Sequence, residues 1–545
     1  MDKIASMKLL QRLFALAILL LICAGANAQG GNTSGADNLY TEGENTIMDG
    51  HVFFKMDGVL ITCDRAIKYP NSRVLATGNL VVTRDGSKLY GSEMDLDQTT
   101  RIAKITSNTG IVRIVSKDGA VLKAPFVNYM LNKAQMSFSQ GGVIESDGTI
   151  VEGDNGFYDD ELGNAMLFKN VQVHHKDFIA KTDSVIYDKN AKKVSVFGKS
   201  TFWHKDGMLT CLKGVYHEPT QVFNLFENSY ALSKENQAWA DSIAYNKKKE
   251  LLYLGRNICL LDTANHGALL GDYGFVDKRR EYAFMTKRAA AVTFQPKEDT
   301  LFLRADTLMV YNLRNKTVAS KDSLIRFAKA LGKVRYFRKD IQGACDSLVY
   351  STKDSVMNMF GVPLIWNEQN QISADSITIF TKNQKVDRAE MVVNSFIAQK
   401  ETDKYFNQIK GRTMTAYFKD NKISRVDVRG NGQTVYFVKD STEIKGVNMA
   451  TSSGIGIVLN QGKVDKMVFK VKPESNMLPL DKVEVADLTL KGFKWRPDGR
   501  PLTRFDVTTK EVRKSRAKEV EAIAKPTFPI YQRINGKTLS NELKK

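Results

Sequence analysis

Along most of the chain, apolar and polar residues alternate with a period of two, in short runs separated by polar turns. In Asp241-Ser242-Ile243-Ala244-Tyr245, Ile243 and Tyr245 share one face of an extended strand, while Ser242 and Ala244 share the other. The same spacing sets Val127 beside Tyr129, Val185 beside Tyr187, and Leu348 beside Tyr350. Turns such as DKNAK, NKKKE and DDELGN return the chain for a second run. A Gly that often follows this second run (Gly78, Gly198, Gly255, Gly361) permits a sharp bend before the next unit.

The unit repeats. A register mark, most often Asp after a small residue, falls at Asp64, Ser92, Pro125, Asp154, Asp183, Leu212, Asp241, Asp272, Asp306, Asp346, Asp375, Arg412 and Val447. The step is 29 residues from Pro125 through to Asp241, and again from Asp346 to Asp375. A fixed period of this size marks a solenoid or stacked array. It predicts an all-β, elongated β-solenoid of about thirteen repeats, each giving one strand to each of two facing sheets. The long interval from Asp306 to Asp346 predicts an inserted loop or short helix around NKTVASKDSLIRFAKA. Between the sheets runs a seam whose candidate lining is Val127, Tyr129, Val185, Tyr187, Ile243, Tyr245, Leu348 and Tyr350. Alternation alone admits both a filled core and an open trough.

Charge and the N-terminus narrow the setting. A net charge of +19 favours anionic partners: nucleic acid, anionic lipid or a phosphorylated glycolipid. Lys3, Lys8 and Arg12 precede an apolar run that ends in Ala26-Asn27-Ala28, the layout of a secretory signal peptide over residues 1–28. Export argues against nucleic acid and places the protein outside the cytoplasm. Residues 29–38 read as a linker, residues 39–472 as the repeat array, and residues 473–545 as a cap and basic tail with a short helix around 510–525. This tail reads equally as a cap on the last open strand or as a contact for a membrane or partner. Four cysteines remain after cleavage. Cys63, Cys211 and Cys345 occupy the small-residue slot of separate repeats, as buried apolar side chains would.

The stretch ATGNLVVTRDGSKLYGSEMDLDQTTRIAKI, from Ala76 to Ile105, resembles the OstA-like repeat of the lipopolysaccharide transport system of Gram-negative envelopes. In that family a Gly-Asn opens an alternating strand, and a small residue with Asp leads into the second. Gly78-Asn79 and Ala240-Asp241-Ser242-Ile243-Ala244-Tyr245 fit the two halves of this pattern. The resemblance implies a folded-over β-jellyroll, or taco, that carries lipopolysaccharide by its lipid A acyl chains toward the outer membrane. It further implies inner-membrane export components and an outer-membrane translocon barrel as partners, with strand edges open to edge-to-edge self-association. The chain is longer than the family's single bridge proteins and lacks the C-terminal run of amphipathic strands of a barrel. A structural or adhesive envelope scaffold with a closed core is the alternative.

No catalytic site is expected. Walker A, HExxH, GxSxG and GxGxxG patterns are missing, and no cofactor is called for. His174 and His175 are strand neighbours on opposite faces, which cannot converge on one metal ion. In GDNGFYDDELGN, Asp154 is a register mark and Asp159-Asp160-Glu161 a hairpin turn, not a calcium loop.

Overall fold

The computed structural model describes residues 33–539 except 160, 206, 235, 295–298, 315–323, 352, 354, 383–384, 421, 441–442 and 461–462. The expected signal peptide lies outside the described residues. The first described strand, Thr33–Gly35, falls within the stretch read as linker. Two compact units emerge: Met1–Lys205 with Ala524–Lys545, and Asp206–Ile523. The described residues of both are nearly all β, with thirty-six strands and two short α-helices. Every described strand pairing within them is antiparallel, as the period-two pattern requires.

The path of each strand differs from the sequence reading. A repeat does not give one strand to each of two sheets. It gives two passes of the chain, each crossing a bend at its middle and so contributing to both halves of a folded sheet. Most passes are one long strand, but those over residues 102–159 and 356–373 are short strands interrupted at the bend. In the second unit, the strand Asn236–Asn246 pairs with Val222–Ser233 on one side and Leu251–Asp262 on the other, and both ladders shift register at Asp241. In the first unit, the ladder between Val59–Lys68 and Arg73–Arg84 shifts around Asp64 and Gly78-Asn79. Gly78, Gly198 and Gly255 therefore sit inside their strands, and Gly361 between two short ones, at the bend rather than between units.

The bend explains the register mark. Opposite Asp64, Asp154, Leu212, Asp241 and Asp272 lie two successive residues in the left-handed region: Gly78-Asn79, Lys169-Asn170, Glu227-Asn228, Arg256-Asn257 and Lys287-Arg288. That conformation costs about 1–2 kcal/mol per ordinary L-residue, less for Asn. The mark's carboxylate offsets part of it by accepting a hydrogen bond from the bend of the following strand. Asn79 Nδ2 donates to Asp64 at 2.9 Å, Asn170 Nδ2 to Asp154 at 2.8 Å, the Lys199 amide to Asp183 at 2.9 Å, and Asn257 Nδ2 to Asp241 at 2.9 Å. Ser92 fills the same role for the Asn108 amide at 2.6 Å. Val447 is not a bend residue: the ladder there shifts between Gly432 and Arg429, opposite Ser452 and Gly454.

The small residue before each mark points into the angle between the two halves, where space is short. A Cβ on Gly271 would come within 2.5 Å of Met285, and one on Gly411 within 2.3 Å of Val428. Cys63, Cys211 and Cys345 occupy this slot as buried free thiols, and Cys259 is also free and buried. Burial pushes the thiols up, to about 11 for Cys63 and about 12 for Cys211 and Cys345. In the long interval before Asp346, residues 315–323 lie outside the described residues. Leu324–Arg338 is a strand, so the LIRFAKA part is neither loop nor helix.

Candidate functional site

Alternation along the strands and the bend together make a V, with an apex at the register marks and a mouth at the hairpin turns. In the second unit, the row nearest the apex contains Leu225, Ile243, Leu254, Met285 and Leu348, all buried. One step toward the mouth, Tyr245, Leu252, Val276, Ala283, Val310 and Ala328 follow one another in register across six strands, and each is only half-buried. Tyr350 extends the row. On the other half, Leu260, Leu269, Ala291 and Leu303 are likewise in register and half-buried. The seam is thus sealed at its apex and partly exposed at its mouth. Near its C-terminal end, Ile397, Gln399 and Ile409 of one half and Ile423, Val426, Ile457 and Met467 of the other line a single recess. It holds about 470 Å³ of space, part of it open to solvent.

The first unit is tighter. Val127, Tyr129 and Val185 are buried there, and Tyr187 is half-buried. Phe138 lies across two glycines: a Cβ on Gly142 or Gly156 would approach its ring to 2.3 or 2.1 Å. Of the eight candidate lining residues, Ile243 and Leu348 thus belong to the sealed row of the second unit, and Tyr245 and Tyr350 to the accessible one. The acidic stretch near Asp154 is structural: Asp154 accepts from Asn170, and Asp159 accepts from the Leu162 amide at 2.9 Å and from Gln135 at 3.0 Å.

Sequence reasoning missed the C-terminal segment. Its start packs at the last strands, where Leu480, Val483, Leu488 and Leu490 meet Val435, Phe437 and Val447, and it then continues beyond them. Within the second unit, residues 479–523 cross the strands on the outer face of one half, running back against chain order. Four buried glutamines hold it. Gln408 donates to the Leu488 carbonyl at 2.8 Å and accepts from the Leu490 amide at 2.9 Å. Gln371 donates to the Lys494 carbonyl at 2.6 Å and accepts from the Arg496 amide at 2.8 Å. Gln342 accepts from Arg500 Nε at 2.8 Å, and Gln237 accepts from the Arg516 amide at 2.9 Å while donating to Ser515 Oγ at 2.7 Å. Each amide thereby satisfies backbone or side-chain groups that burial would otherwise leave unpaired.

Apolar packing completes this strap. Tyr230, Trp239, Cys259, Leu261 and Leu270 pack with Val512, Ala517, Val520 and Ile523, and Phe493 lies 5.9 Å from Phe396. That is why both faces of this half are buried, shown by the consecutive residues Gln237 to Ala240. Ala517–Glu521 is the helix within the stretch expected at 510–525. A charged contact anchors the strap at a bend: Lys510 Nζ lies 2.7 Å from Asp272, which also accepts from Arg288. Burial works to raise the Asp272 carboxyl, but these donors and the Asn257 amide hold it down, at about 2. In the first unit, residues 524–539 dock similarly. Gln172 accepts from the Thr527 and Phe528 amides at 2.9 Å each, and Glu152 from the Tyr531 amide at 2.7 Å. A helix not expected from the sequence, Pro529–Asn535, follows. One signal was present in the sequence: the four strap glutamines of the second unit each stand four residues before a mark, at Asp241, Asp346, Asp375 and Arg412.

The sequence model of the family described as OstA-like protein matches residues 32–183, inside the first unit. No curated protein matches the chain. Among solved structures, the chain is similar to LptH, the LptA homologous periplasmic component of the conserved lipopolysaccharide transport device from Pseudomonas aeruginosa. The identity is 12%, 27% of this chain and 94% of that chain are covered, and the TM-score of 0.18 supports nothing further. The match over residues 32–183 coincides with bends built on Asp64, Ser92 and Asp154 and with the Gly78-Asn79 signature, and over those residues the chain is similar to the OstA-like family.

Proposed function

We propose that the chain is a non-enzymatic lipopolysaccharide carrier of the periplasm, exported by cleavage after Ala28, that passes lipid A acyl chains along its seam toward the outer membrane. The observation that carries this reading is the half-buried apolar row from Tyr245 to Ala328, which extends across six strands without a break. Each CH₂ group taken from water contributes about 0.8 kcal/mol, so a continuous apolar track lets a lipid advance without crossing water. Inner-membrane export components and an outer-membrane barrel are the partners this role requires.

A closed envelope scaffold is favoured by one observation, the Phe138 ring packed over Gly142 and Gly156 in the first unit. A photo-crosslinking residue distinguishes the two. Placed at Tyr245 it captures lipopolysaccharide in cells, and placed at Asn228, on the exposed bend, it does not. No capture from Tyr245, with no lipid in the protein purified from native envelopes, would leave the scaffold reading.

A further inference from the structure

The two outer faces of the second unit are treated differently. One is covered by the strap. The other carries aromatic rings with nothing from this chain over them among the described residues. Tyr253 stands between the inward Leu252 and Leu254 and is 40% exposed; Tyr273 is 37% exposed. With Phe275, Tyr282 and Phe284 they form one contiguous patch: ring centroids are 5.0 Å apart for Tyr253 and Phe275, 5.5 Å for Phe275 and Phe284, and 5.9 Å for Tyr273 and Phe284. Folded chains seldom leave such a cluster in water without a use for it.

Two basic turns edge the patch, at the ends of the same strands. Lys247, Lys248 and Lys249 fill one, and Lys278, Arg279 and Arg280 the other. Three acids share these turns. Asp277 is buried and accepts from the Arg279 and Arg280 amides, Glu250 lies 3.8 Å from Arg279, and Glu281 borders the second turn. Six cations against three acids leave the edge positive.

We propose that this face seats the second unit on an anionic bilayer surface, with the rings at headgroup depth and the two turns against lipid phosphates. Aromatic rings carrying a polar tip suit that boundary, and clustered Lys and Arg add attraction to anionic headgroups. The face is on the outside of the sheet, so the proposal does not depend on what the seam carries.

The test is flotation of the chain lacking residues 1–28 with vesicles of phosphatidylcholine alone or with about a third phosphatidylglycerol, the fraction at which the anionic surface potential is substantial. The expected result is flotation with the anionic vesicles only, weakened by salt, and a loss of at least about tenfold in the triple variant Y253S/F275S/F284S. Leu502→Ser, at a 70% exposed apolar position on the strap, should float as the parent does. Circular dichroism confirms that the triple variant is folded; if it is not, the single variants Tyr253→Ser and Tyr273→Ser, at exposed positions, carry the test. Equal flotation of a folded patch variant overturns the proposal, as does equal binding to neutral vesicles. A parent that forms dimers which the patch variant loses, without vesicle binding, assigns the face to a second copy instead.

Discussion

Gln371→Ala should release part of the strap without unfolding the sheet. Gln371 is 3% exposed, and its side-chain amide makes two hydrogen bonds to the strap backbone, at the Lys494 carbonyl and the Arg496 amide. Truncation leaves both backbone groups facing a buried, apolar site beside Trp366. A buried group without a partner costs about 1–3 kcal/mol, so the pair is worth roughly 2–4 kcal/mol after relaxation. The sheet itself loses little, because the strand Asn370–Ser373 keeps its ladder with both neighbours. The cost should therefore appear as local opening. Hydrogen exchange at residues 490–500 should speed up by about 30-fold or more, and trypsin should cut first at Lys491 or Lys494. Exchange in the strands Leu364–Asn367 and Phe406–Lys419 should stay near the parent rate. If the strap keeps its protection while the whole unit melts earlier, the glutamine is an ordinary core residue and the strap is not a separable element.

Gly78→Ala should destabilise the first unit by about 2 kcal/mol or more in thermal melts, from the positive φ of 77° and a Cβ only 2.3 Å from Asp64 Oδ2. The double variant with Asp64→Ala should recover part of that loss, and no recovery would refute the pairing of mark and bend. Ile243→Asp puts an unpaired charge in the sealed row and should cost several kcal/mol in folding. Tyr245→Asp, at the half-buried mouth, should cost clearly less and instead reduce co-purified lipid. Asp272 is held below the ordinary carboxyl value of 3.8, at about 2, and its side chain is 15% exposed. It therefore adds stability above about pH 3.8, up to about 2 kcal/mol, which is lost as pH falls through about 2. Exchange of residues 507–516 should rise over that acid range in the parent, and Asp272→Asn should abolish the pH dependence. Cys63, Cys211 and Cys345, neutral and buried at pH 8, should resist iodoacetamide until the protein unfolds.

Much of this protein follows from local pattern. Period-two alternation is a property of single strands, so the all-β class, the hairpin turns at residues 189–192 and 247–250, and the shared face of Ile243 and Tyr245 were legible without any partner strand. The repeated Asp was legible as a mark, but not as the acceptor for a bend in the next strand. That role depends on residues fifteen or sixteen positions away lying opposite it, as Asn79 lies opposite Asp64. Whether Ile243 is sealed and Tyr245 accessible was also undetermined, since alternation sets the face of a side chain and not its distance from an apex. The strap was the least visible element. Residues 479–523 have little regular periodicity because they pair with no strand, and Gln371 and Arg496 are 125 positions apart. Only the folded sheet brings a row of glutamines and an extended tail together, and only there does burial make their hydrogen bonds decide where the tail lies.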